Sequence, residues 1–80
     1  MELTLETVND ATQYATIYSG TAPVATLQRR RVYDTGPAWR VYDTNGRLMG
    51  RVWQTRSYSW LAGRVLAMVR ADLAAKEAQA

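Results

Sequence analysis

Trp39-Arg40-Val41-Tyr42-Asp43-Thr44-Asn45-Gly46-Arg47-Leu48-Met49-Gly50-Arg51-Val52-Trp53 reads as two strands joined at Asn45-Gly46. Both turn residues tolerate the positive φ of a type I′ hairpin, which makes this dipeptide the strongest local folding signal in the chain. A two-residue loop sets the pairing: Thr44 opposite Arg47, Asp43 opposite Leu48, Tyr42 opposite Met49, Val41 opposite Gly50, Arg40 opposite Arg51, and Trp39 opposite Val52. One face then carries Trp39, Val41, Leu48 and Val52 and is expected to pack on a helix, with Gly50 leaving room for a neighbour. The other carries Arg40, Tyr42, Met49, Arg51 and Trp53 and is expected to face outward.

The string Val-Tyr-Asp-Thr occurs at 32–35 as well as at 41–44, each time entering a turn. Asp34 and Asp43 are therefore read as turn residues that cap their own backbone, rather than as a carboxylate pair. Residues 24–33 read as a strand beginning after Pro23 and leading into Asp34-Thr35-Gly36-Pro37; residues 38–43 and 47–55 form the hairpin. Residues 2–8 alternate as a strand. The segment 9–20 is ambiguous: Asp10 and Gln13 can form a capping box on a helix ending near Gly20, while Tyr14, Thr16, Ile17 and Tyr18 carry strand propensity after a turn at 9–12. The strand reading is preferred.

From Ser57, a candidate N-cap, the period changes to that of a helix over about 57–76, followed by a frayed tail at 77–80. Leu61, Ala62, Val65, Leu66, Val69 and Leu73 form its broad apolar stripe. A second stripe of small residues, Gly63, Ala67, Ala71 and Ala74 with Trp60 at its edge, is a candidate homodimer face. Alanine's helix propensity accounts for the same face without a partner. The expected fold class is α+β: an antiparallel β-meander of three to five strands, centred on 24–55, packed against one C-terminal helix in a single small domain spanning 1–80.

The chain has 80 residues, 48% of them hydrophobic, with no Cys and no His. That composition supports a folded core while excluding a disulfide frame, a thiolate nucleophile and the common zinc and acid–base constellations. Ser57 and Ser59 have no adjacent base, and no phosphate-binding glycine pattern occurs. The expectation is a non-enzymatic protein without cofactor or metal. The start of the chain lacks the basic-then-apolar pattern of a secretory signal, and no run of about eighteen apolar residues occurs, so a cytoplasmic location without membrane insertion is expected.

The formal net charge is +3, but residues 29–56 hold seven Arg against Asp34 and Asp43, a local +5. The first ten residues carry Glu2, Glu6 and Asp10 instead, so the charge asymmetry points to an anionic partner at the basic middle. Arg40 directly opposite Arg51 is locally unfavourable unless a carboxylate (Asp43, Glu6 or Glu2) neutralises the pair or an external anion does. Long Arg stems covering an apolar strand surface are the simpler alternative.

Trp39, Val41, Gly46, Leu48, Gly50 and Thr55, followed by Ala62, give a strand with Trp, a Gly turn, a strand with Leu-x-Gly and then an Ala-containing helix. Over roughly 27–73 this order resembles the plant-type AP2 domain and the related N-terminal DNA-binding domain of tyrosine integrases. Leu48-Met49-Gly50 has one residue more than the family's Leu-Gly pair, and Ala62-Gly63 replaces its double alanine. The resemblance implies a three-stranded sheet on one helix, with outward Arg and Trp entering a DNA major groove; it points to Arg29 or Arg31, Arg40, Arg51 and Trp53. More loosely, the chain resembles small accessory proteins of actinobacterial phages and mobile elements, many of which bind host proteins.

The expected function is a small nucleic-acid-binding module for duplex DNA. Arg29, Arg31, Arg40, Arg51 and Arg56 would contact phosphate or guanine, and Tyr42, Met49 and Trp53 would lie among them. The competing expectation is a phage-type interaction module that modulates a host protein, using either the aromatic sheet face or a homodimer built on the Trp60 and alanine stripe.

Overall fold

The computed structural model describes residues 2–9, 12–29, 38–53 and 56–79. Five strands, β1 (Leu3–Leu5), β2 (Tyr14–Ser19), β3 (Ala22–Arg29), β4 (Ala38–Asp43) and β5 (Leu48–Trp53), precede one helix, α1 (Tyr58–Gln79). They form one antiparallel sheet in the order β1-β2-β3-β4-β5, an up-and-down meander with β1 and β5 at its open edges. This is the expected α+β class with five strands, and within the ambiguous segment Tyr14–Ser19 is a strand.

Gly20 explains that outcome. Its φ of 63° places a left-handed residue first in the two-residue turn between Ser19 and Ala22, where a type II′ hairpin needs it. Upstream, Asn9 and Thr12 close a turn by reciprocal bonds: Thr12 N–H donates to the Asn9 carbonyl at 3.1 Å, and Asn9 N–H to Thr12 Oγ1 at 3.0 Å. Pro23 lies inside β3 instead of before it, opposite Tyr18. A register shift there leaves Val24 as an extra residue, and a proline without an N–H is accommodated at such an irregular strand start.

The central hairpin departs from the expected turn. Gly46 N–H donates to the Asp43 carbonyl, Asp43 N–H to the Arg47 carbonyl, and only Gly46 of the loop has positive φ, at 81°. With Asn45 at negative φ this is a type I turn followed by a left-handed glycine, a three-residue loop in place of the two-residue type I′. The Asp43 carboxylate selects it, accepting bonds from the N–H groups of both Asn45 and Arg47 through Oδ1 at 2.9 and 3.0 Å.

The longer loop moves Leu48 opposite Tyr42, and a bulge at Met49 then restores the expected pairs Val41 with Gly50, Arg40 with Arg51 and Trp39 with Val52. The two offsets cancel beyond Gly50 but reverse the residues between them. Leu48, expected in the core, is exposed on the open face; Met49, expected outward, packs against the core.

The covered face carries Leu3, Ala15, Ile17, Ala25, Leu27, Trp39, Val41 and Val52, closed by Leu61, Val65 and Val69 of α1 at i, i+4 and i+8. Full burial of each large side chain contributes about 1.5–3 kcal/mol. Ser57 caps α1, its Oγ accepting from Trp60 N–H at 3.3 Å, and helical backbone continues through Gln79 where fraying from 77 was expected. Gly50 has the expected role: a Cβ there would lie 3.1 Å from Met68 Cε, so the missing side chain lets α1 approach β5.

Candidate nucleic-acid interface

Strand alternation puts every second side chain on the uncovered face, and the pairing aligns them in rows. Tyr14, Gln28, Arg40 and Arg51 cross β2 to β5 in one row; Thr16, Thr26, Tyr42 and Leu48 form the next; Ala38 and Trp53 flank the first on its other side. Adjacent strands lie about 4.8 Å apart, so the Arg row spans about 15 Å. The face thus brings together Arg40, Tyr42, Arg51 and Trp53 among the expected residues. It adds Tyr14 and Leu48, which pattern reading of the hairpin alone does not place there.

Tyr14, Leu48 and Trp53, the large apolar side chains most exposed among the described residues (59%, 39% and 52%), all project from this face. Its central strand positions on β2 to β5 carry no Asp or Glu. Asp43, one expected neutraliser of the Arg pair, is buried on the opposite side. Another, Glu6, lies off the end of β1, where its Oε1 accepts from Thr16 N–H at 2.6 Å. Among the described residues, neither Arg40 nor Arg51 has a carboxylate within ion-pair distance. Two Arg residues in register on neighbouring strands, with Tyr42 and Trp53 in the adjoining rows of the same face, form a positive, partly apolar surface suited to a planar or phosphorylated anion.

The other expected residues are distributed elsewhere. Arg29 belongs to the covered face, paired with Trp39; its guanidinium lies 4.4 Å from the Trp39 ring centroid, and Nη2 donates to the Thr12 carbonyl at 2.9 Å. It ties the turn before β2 to the core and does not join the open face. The direct cause is strand parity: Ala25, Leu27 and Arg29 share one side of β3. Arg31, like the first Val-Tyr-Asp-Thr copy, lies outside the described residues. Arg56 is exposed just ahead of the Ser57 cap.

The helix residues considered for a dimer face divide between settings. Trp60 and Ala67 line a groove beside β5, Ala74 borders another beside Leu3, and Gly63 and Ala71 are exposed. On the covered side, Lys76 Nζ reaches Asp72 Oδ2 at 3.0 Å and Asp43 Oδ2 at 3.5 Å, joining the end of α1 to the hairpin turn. The Arg47 N–H bond holds the Asp43 carboxyl below its ordinary pKa, aided by Asn45 N–H and Lys76 and opposed by burial. The hydrogen bond to Asp72 raises Lys76, aided by both negative charges.

No protein-family model matches the chain, and searches of curated proteins and of solved structures find no match. Among the described residues, no helix is long and apolar enough to cross a membrane.

Proposed function

We propose that the open sheet face binds nucleic acid, with duplex DNA as its target, and that the protein is a non-catalytic cytoplasmic accessory factor of the phage or mobile-element kind. The observation that carries this reading is the Arg40–Arg51 pair, held in register on a face that presents no carboxylate across its central strands. Arg40 and Arg51 would neutralise phosphates or address guanine edges, while Tyr14, Tyr42 and Trp53 pack on sugars and bases. The resemblance to AP2 and integrase N-terminal domains implies the same use of outward Arg and Trp.

Counterion release makes such binding strongly salt dependent. Fluorescence anisotropy with duplex and single-stranded oligonucleotides, from low to physiological salt, tests it. The Arg40→Ala, Arg51→Ala double variant should bind duplex at least about tenfold more weakly, with the log–log salt slope reduced by about 2. Equal binding by both proteins removes this site from consideration; tighter binding of single strands would reassign the face to base stacking.

The alternative reading, an interaction module that engages a host protein, is favoured by one separate feature, the groove beside β5.

A further inference from the structure

Among the described residues, β5 ends the sheet and pairs with β4 alone. Arg51, Val52 and Trp53, three successive residues of that strand, form one wall of a groove of about 520 Å³; Trp60, Arg64, Ala67 and Met68 of α1 form the other. The helix residues recur at i, i+4, i+7 and i+8, so they make one continuous stripe parallel to the groove wall. A strand edge has N–H and C=O groups on alternate residues without a strand partner, and groove-side pockets then select the side chains of whatever pairs with it.

The chemistry of the lining limits the occupant. Arg51 and Arg64 are both exposed, no carboxylate among the described residues lines the groove, and Arg64 lies 6.0 Å from the Trp60 ring centroid, which holds its charge at the helix wall. Arg47 and Arg56 continue the positive charge in the sequence on either side of β5. Between the charges, Trp60, Ala67, Met68 and Val52 provide apolar surface, with small Ala67 leaving room opposite the strand.

We propose that this groove binds an extended acidic peptide segment of another protein, which adds to β5 as a sixth strand, sets its carboxylates against Arg51 and Arg64, and places an apolar side chain beside Trp60 and Ala67. The main-chain ladder supplies affinity and the alternate side chains supply selectivity. This surface meets the open sheet face at Arg51 and Trp53, whereas its helix wall contributes nothing to the Arg40 row.

The test uses a labelled synthetic peptide of about eight residues, enough to pair along a strand of this length, alternating Glu with Val around a central Leu. The control replaces each Glu by Lys. Wild-type protein should bind the acidic peptide and not the basic one, with amide NMR shifts concentrated in β5 and the facing half of α1. Arg64→Glu and, independently, Ala67→Trp should each weaken binding at least about tenfold, the first by charge and the second by filling the groove. Both positions are exposed on α1, and each variant should retain the wild-type circular dichroism spectrum. No binding of the acidic peptide at roughly millimolar concentration, or binding that both variants leave intact, overturns the proposal. So does a wild-type dimer that Ala67→Trp converts to monomer, since the groove would then belong to a second copy of the chain.

Discussion

Asp43 shows how much one side chain decides. Its carboxylate caps two backbone N–H groups in the turn and faces Lys76 at the end of the chain's helix, while the residue itself is only 6% exposed. Because its folded pKa is lowered, the ionised form is favoured by folding: this contribution is complete above the ordinary carboxylate value of about 3.9 and disappears as pH falls through the folded value. Lys76 is raised, so its contribution is complete below about 10.4 and disappears as pH rises through its own folded value. Thermal melts should therefore lose stability on the acid side below about pH 4. Asp43→Asn, which keeps an acceptor for the turn but not the charge, should flatten that acid limb. Asp43→Ala, which loses both, should melt lower than Asp43→Asn at neutral pH. An unchanged acid limb in Asp43→Asn would remove the carboxylate from the account. The turn role of Asp43 is legible in the repeated Val-Tyr-Asp-Thr; the Lys76 partner is not, because 33 residues separate them and only packing of α1 on the sheet brings them together.

At the scale of elements, β5 shows where local pattern stops being sufficient. Asn45-Gly46 correctly marks the hairpin, and the pairs from Val41–Gly50 onward coincide with those of a two-residue loop because two offsets cancel. The capped Asp43 turn nevertheless adds a loop residue, and the bulge at Met49 removes the offset again. Leu48 and Met49 thereby exchange surroundings without disturbing the rest of the strand. Leu48→Glu should change unfolding free energy by no more than about 0.5 kcal/mol, whereas Met49→Glu should cost about 1–3 kcal/mol by burying a carboxylate against the core. Urea denaturation of the two variants checks this, and the opposite order would indicate the two-residue turn. The same dependence on strand parity moves Arg29 from the expected binding set to the cation–π contact with Trp39.

For the whole molecule, stability and the candidate function occupy opposite sides of one sheet. Leu61 is fully buried under the covered face, so Leu61→Ala should cost about 2–5 kcal/mol, a large fraction of what a domain of this size possesses. Removing the Arg40 and Arg51 side chains should instead leave stability unchanged or raise it by up to about 1 kcal/mol, because two like charges no longer face each other. Calorimetry on both variants checks the division; an unstable Arg40→Ala, Arg51→Ala protein would mean that the pair serves the fold. The α+β class, the central hairpin and the helix with its Ser57 cap are readable from the chain alone, since these arise from residue periodicity and turn chemistry acting over a few neighbours; the strand count is bounded there only at three to five, and Arg40 meets Arg51 because the extra loop residue and the bulge at Met49 cancel. That Tyr14 and Leu48 join the open face, that Arg29 leaves it, and that Trp60 and Arg64 line the groove beside β5 emerge from the assembled fold. Those placements depend on register accumulated across successive strands, with each bulge reassigning faces, and on the line along which α1 packs, to which distant side chains all contribute.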